Sequence, residues 1–244
     1  MRASPVMKGF TLLEVLIAVS ITAMIGVAST QLLSNVIDSK QASEVRSEQL
    51  VSLQRFNMVV SRDIEQLINR SIRDEYGDKQ ASLLLDSGDF PIEFTRAGWR
   101  NSPVSRDPRA ELQRVAYRLE PIDSDVCEPA LQRLQSWGVT EPQYDCLVRY
   151  FWSVLDRASD SVPQPQVVLE QAERLEIDLL VQRERKASDN QQAEVSGRDW
   201  YTAWPALQSS GSEEERPLAI RWRLTLPALG DIERQWLLAW GPES

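Results

Sequence analysis

Twenty-four consecutive residues, Phe10 to Leu33, carry one charge, Glu14, and charged positions resume only at Asp38. At about 1.5 Å of rise per residue, such a run is long enough as a helix to cross the roughly 30 Å hydrocarbon layer of a membrane. Beyond it the pattern turns amphipathic. Leu50, Leu53, Asn57, Val60, Ile64 and Leu67 recur at spacings of three and four, while Arg46, Glu48, Arg55, Arg62 and Asp63 mostly populate other faces. No Pro or Gly falls between Val27 and Tyr76 once Gly26 is passed. One continuous helix of about 60 residues is therefore expected, its first half (10–34) in lipid and its second half (35–75) docked by one stripe on a head formed by 76–244.

The head reads as strands. Apolar residues alternate with arginines along 91–95, 112–119, 147–155 and 218–226, clearest where Leu218, Ile220, Trp222, Leu224 and Leu226 are interleaved with Arg221, Arg223 and Thr225. A period of two with one polar face predicts antiparallel sheets covered on one side. Further strands are expected over 175–181 and 232–240, the latter forming a hairpin with 218–226 across Pro227 to Gly230. The fold class is thus α+β, a long N-terminal helix on a head of antiparallel sheets.

Charge sets the orientation and narrows the partners. Arg2 and Lys8 precede the apolar run, which places residues 1–9 in the cytoplasm and everything beyond about residue 34 outside by the positive-inside rule. Removing Arg2, Lys8 and Glu14 from the totals of 27 basic and 36 acidic residues leaves the exported part with a net charge of −10, which argues against a nucleic-acid partner. The chain contains no histidine, so no imidazole is present for a Ser or Cys catalytic pair or for a zinc site. Cys127 and Cys146 are the only cysteines; outside the cytoplasm they most simply form a disulfide, with two separate thiols as the alternative. No cofactor and no metal are expected. Asp123, Asp125 and Glu128 form an acidic run that reads as a solvated surface rather than a calcium loop. The stretch Arg96, Trp99, Arg100, Arg106 and Arg109 reads either as an interaction edge or as a turn with one buried Trp and solvated arginines.

Glu14 is the position that demands chemistry. A carboxylate inside an apolar span costs on the order of 2.5–3.5 kcal/mol at a helix centre and less near an interface, so it implies a role and a partner. Two plainer readings leave it unexplained. A secretory signal with cleavage at Gly26-Val27-Ala28 would need a shorter apolar region, and a simple anchor has no use for the acid. Gly9-Phe10 followed by Glu14 resembles the processing site of type IV pilins and of the pseudopilins of type II secretion systems. The resemblance implies cleavage between Gly9 and Phe10 by a prepilin peptidase, N-methylation of Phe10, and pairing of Glu14 with the exposed amine of a neighbouring subunit. That pairing would fix the stagger of a filament.

Within the head, Phe94 to Asn101, Arg109 to Glu120 and Arg149 to Ala158 resemble the J-type minor pseudopilins of type II secretion, as do Asp199 to Pro205 and Leu218 to Leu226. The resemblance runs along essentially the whole chain. It implies a pilin-like fold and a non-enzymatic subunit in the inner membrane, crossing once, with its head in the periplasm. It also implies partnership with the other minor pseudopilins and the major pseudopilin, in a tip complex that primes pseudopilus assembly for export across the outer membrane. One departure stands out: Pro121 to Asp145 intervene between two strands that follow one another closely in the family. This stretch is expected to be a surface insertion, closed over about 121–146 by the two cysteines, with Trp137-Gly138 at a turn. A minor pilin of a type IV pilus or DNA-uptake system shares the leader and helix and is the nearest alternative. A periplasmic enzyme or binding domain on a signal anchor is the more distant one. Mass spectrometry of the membrane-extracted protein should find N-methylated Phe10 as the first residue; a start at Met1 or near Ser29 would overturn the processing assignment.

Overall fold

The computed structural model describes residues 10–74, 76–98, 111–157, 161–185, 194–205, 213–227 and 229–241. It falls into two compact units, the first ending at Val51 and the second running from Ser52. Past Phe10 and Thr11, the described part of the first is helical, the beginning of α1 (Leu12–Glu65, 54 residues). The second begins with the remainder of α1 and contains all the strands.

The helix ends ten residues short of the expected boundary at 75. Leu67 leaves the helical path to bridge Arg96, and the Ile68 N–H donates to the Thr95 carbonyl at 3.0 Å. Leu67 and Ile72 are both buried against the sheets. Tertiary pairing of an apolar segment outweighs an uninterrupted helical composition, because propensity contributes only tenths of a kcal/mol per residue. A small hairpin follows, β1 (Ile72–Arg73) with β2 (Lys79–Gln80).

The first main sheet contains β3 (Leu83–Leu85), β4 (Ile92–Arg96), β5 (Gln113–Glu120), β6 (Asp145–Phe151) and β7 (Gln164–Ala172), adjacent in sequence order. The second has the order β11-β10-β8-β9 and contains β8 (Arg174–Arg185), β9 (Glu194–Tyr201), β10 (Glu213–Leu226) and β11 (Gly230–Leu237). Every pairing is antiparallel. The hairpin expected across Pro227 to Gly230 is present: Leu226 pairs with Gly230, whose φ of 73° supplies the left-handed residue that closes a three-residue loop.

One core unites Phe56, Val60 and Ile64 of α1 with Ile92, Phe94, Val115, Tyr117 and Leu147 of the first sheet and Leu179, Ile220 and Trp222 of the second. Trp222 sits at its centre, edge-on to Tyr117 at 5.1 Å and to Trp236 at 6.2 Å. Asp63, read from its spacing as part of another face, is instead completely buried here. Its carboxylate accepts from the Tyr117 hydroxyl at 2.7 Å, from Arg149 Nε and from Arg96 Nη1, and Gln66 Oε1 takes the second Arg96 nitrogen. Arg96 is therefore a core residue rather than part of an interaction edge, whereas Trp99, Arg100, Arg106 and Arg109 lie outside the described residues. Burial pulls the Arg149 guanidinium down, but Asp63 and Tyr117 more than offset this and hold it above the usual arginine range. Burial, reinforced by Asp63, pushes the Tyr117 phenol well above the usual tyrosine range.

The expectation of sheets covered on one side fails for the first sheet. Gln113 to Tyr117 are five consecutive buried residues. Arg114 is wholly buried, donating to Glu93 at 2.7 Å and to the carbonyls of Ala81 and Ser82 at 2.8 and 3.0 Å. The cover comes from the 121–146 insertion, which is not an exposed loop but a 3-10 turn (Asp125–Cys127) followed by α2 (Glu128–Ser136). Cys127, Ala130 and Cys146 join Phe90, Ala116, Val148, Tyr150 and Trp152 in a second apolar cluster. A Cys127–Cys146 disulfide, with Cα atoms 6.0 Å apart, fastens the 3-10 turn to β6. Arg133 of α2 donates to Glu170 of β7 at 2.5 Å, and Ser52 donates to the same carboxylate. Trp137-Gly138 does lie at a turn, where Gly138 at φ 84° ends α2.

Two measurements test these packing assignments. Asp63→Ala, which leaves Arg149 and Arg96 buried without a counter-charge, should cost about 3–5 kcal/mol in denaturant unfolding of the purified chain; a loss under about 1 kcal/mol, the value of a surface pair, would reject the network as an anchor. Non-reducing peptide mapping should join the Cys127 and Cys146 peptides, and replacing both by Ala should destabilise by roughly 3 kcal/mol. Two freely alkylated thiols would refute the bridge.

Candidate assembly site

The start of α1 is a reciprocal cap. Thr11 precedes the first helical residue, its N–H and hydroxyl both donate to Glu14 Oε2 at 2.9 and 3.0 Å, and its Oγ1 accepts the Glu14 N–H at 3.3 Å. Thr-x-x-Glu is the capping-box spacing, in which two side chains satisfy helix N–H groups that have no partner within the helix. Hydropathy shows Glu14 only as an acid in need of a partner, whereas the Thr11-x-x-Glu14 spacing is the signal in the sequence that marks the cap. Gly9 lies outside the described residues, and Phe10 is exposed immediately ahead of the cap.

The helix that follows satisfies its own polar groups. Ser20 Oγ donates to the Leu16 carbonyl, Thr22 Oγ1 to Ala18 and Thr30 Oγ1 to Val27, each at 2.8 Å. Hydroxyls bonded back onto the preceding turn present no unpaired donor to lipid. Leu12, Leu13, Leu16, Ile17, Met24 and Ile25 are all exposed, and the helix is long and apolar enough to cross a membrane.

Other candidate positions fall elsewhere. Asp125 and Glu128 occupy the first turns of the 3-10 turn and α2, where acids favour the positive ends of helices. No group of three His, Cys, Asp or Glu residues able to hold a metal exists among the described residues. Tyr150, in the second apolar cluster, donates to Glu120, and burial together with that carboxylate pushes its phenol up to about 12. These arrangements organise structure; the exposed chemistry is concentrated at Phe10 to Glu14 and on the outer surfaces of the head.

Comparison with known proteins agrees with this division. The model of the family "Type II secretion system (T2SS), protein J" matches residues 31–238, and that of the prokaryotic N-terminal methylation motif matches residues 6–30. Type II secretion system protein J of Escherichia coli is 27% identical over 240 residues, 96% of this chain and 97% of that one. The protein of the same name from Vibrio cholerae is 36% identical over 119 residues, 46% of this chain and 53% of its own length. Among solved structures, a chain of the GspK-GspI-GspJ complex from the enterotoxigenic E. coli type 2 secretion system superposes with a TM-score of 0.50 at 25% identity, over 80% of this chain and 99% of that one. With a single family model matched along most of its length, the chain belongs to the protein J family of type II secretion systems.

Proposed function

We propose that this minor pseudopilin works without catalysis, as one member of a complex at the tip of the pseudopilus whose assembly it helps to prime. The observation that carries the reading is the lone carboxylate of the span, held one helical turn from a Gly9-Phe10 junction of the kind cut by a prepilin peptidase. Cleavage there would leave Phe10 as a methylated, cationic terminus beside a span that stays in the inner membrane, with leader residues 1–9 cytoplasmic and the head periplasmic. The positive-inside distribution of Arg2 and Lys8 supports that orientation. The E. coli GspK-GspI-GspJ complex supports the other minor pseudopilins as partners, and the major pseudopilin is the subunit expected to follow.

Assembly would then proceed by exchange. Glu14 leaves the donors of its own Thr11 for the amine of an adjacent subunit once two spans are offset by about one turn. The spans associate by packing, and the heads choose partners through their own surfaces. In this scheme the disulfide of Cys127 and Cys146 keeps the insertion folded on the sheet during extraction.

Glu14→Ala should lower co-purification with the GspK and GspI counterparts by about tenfold, the equivalent of 1.4 kcal/mol, with the thermal transition of the head unchanged. Assembly and secretion at the wild-type level in this variant would overturn the reading.

A further inference from the structure

The second sheet ends at β11, and among the described residues no strand lies beyond it. The Leu238 N–H donates to the Leu218 carbonyl at 2.8 Å, which fixes the phase of the ladder. Residues opposite one another in an antiparallel pair alternate between hydrogen-bonded and non-bonded positions. Gly230, Ile232, Arg234 and Trp236 are therefore bonded to β10, whereas Asp231, Glu233, Gln235 and Leu237 turn their N–H and C=O groups to the open side. The side chains of this second set stand on the outer face. Ile232 and Trp236 pack on the core, and Arg234 reaches Asn57 of α1 at 3.0 Å, so their neighbours point the other way.

A second, independent feature meets this edge. Trp200 of β9 lies opposite Leu180 of β8, Leu180 opposite Ala219 of β10, and Ala219 opposite Leu237 of β11. The four form one apolar row across the outer face of the whole sheet. The next two rows down are ionic, with Arg221 and Arg223 donating to Asp178 and the Arg221 guanidinium 4.1 Å from the Trp200 ring centre. Ala219 and Leu180 are at least partly covered and Trp200 is 38% exposed, but Leu237, the last of the row, is 86% exposed. Among the described residues, an apolar row that crosses four strands and stops at an unpaired backbone edge lacks its fifth member.

The geometry points to strand addition at the β11 edge, the occupant being an extended segment of another tip subunit with an apolar residue opposite Leu237 and Lys or Arg opposite Glu233 and Asp231. This rests on the proposed membership of a tip complex. The charge pattern favours this partner: Asp231 and Glu233 accept from Thr225 and Gln235 and Glu233 stands opposite Arg223, yet both acids remain exposed at the edge, where a basic strand would meet them. In the register that overlaps the whole of β11, two copies paired about a two-fold axis through Arg234 would set Leu237 against Asp231, a mismatch at both ends that disfavours self-association along the full edge.

Hydrogen exchange with residue-level fragmentation tests this on the full-length chain in detergent, alone and co-expressed with the proteins of its own organism that correspond to GspK and GspI. The amides of Glu233, Gln235 and Leu237 should exchange at least about tenfold more slowly in the complex, while those of Ile232, Arg234 and Trp236 are slow in both states. Gln235→Pro removes an outward N–H and leaves the β10 ladder intact, and Leu237→Lys charges the end of the row. Each should reduce capture of the partners by about tenfold. If the complex forms and the outward amides stay fast, or both variants assemble like the wild type, the edge assignment is wrong and tip membership stands. If no complex forms with the unmodified chain, both fall. Concentration-dependent protection in the chain alone would make the occupant a second copy and refute the committed partner.

Discussion

The fold of the head depends on how one carboxylate is held where water cannot reach it. Asp63 stands on the last turns of α1 and takes donors from β4, β5 and β6 at once, through Arg96, Tyr117 and Arg149. Three strands and a helix thus share a single point of electrostatic agreement. Apolar packing of Val60, Ile64 and Phe94 is non-directional and would tolerate sliding along the helix axis, whereas a buried acid with three donors has one acceptable register. The net worth of such a cluster relative to an apolar isostere is small, because desolvating the charges opposes their attraction. Its contribution here is to specify where α1 sits on the sheets.

The two sheets divide the remaining work unequally. The second buries one face and on the other carries arginines and acids beside the apolar row that ends at Leu237, in keeping with its alternation of apolar and charged residues. The first is buried on both faces, since the insertion folds back as α2 and supplies a second apolar layer around Cys127, Ala130 and Tyr150. Glu170 links that layer to α1 by accepting from both Arg133 and Ser52. An insertion fastened in this way adds to the core rather than merely ornamenting the surface.

Much of this was legible in the sequence, and what was not has identifiable causes. The span, the α+β class, β4, β5, β6, β8, β10 and β11 were signalled by strong periodicities, and their ends shifted by a few residues. The short β1, β2 and β3 and the longer β7 were missed, and β9 was touched only through the resemblance over Asp199 to Pro205: Leu83 to Leu85 and Val167 to Leu169 are short continuous apolar runs and Glu194 to Tyr201 is largely polar, so none alternates. Asp63 and Arg96 were read as surface groups because spacing alone cannot reveal that two charges thirty-three residues apart meet inside a core. The α2 helix was read as loop for the same reason: its buried residues Ala130 and Leu134 acquire meaning only once β7 lies against the helix and Phe90 joins Ala130 in the second cluster. At the candidate site, Glu14 was found at once as a misplaced acid, while the Thr11 cap required attention to a four-residue spacing instead of to hydropathy.

That cap changes what any contact at Glu14 can be worth. A carboxylate already holding a backbone N–H and a hydroxyl is not an exposed liability while the chain stands alone in the bilayer. A newcomer that takes it must first displace two intramolecular donors, and the gain is only the difference between two satisfied states. If subunits pair through Glu14 as proposed, such a contact would be reversible: subunits could sample neighbours, reject poor ones at little cost, and commit only when the rest of the interface adds its share.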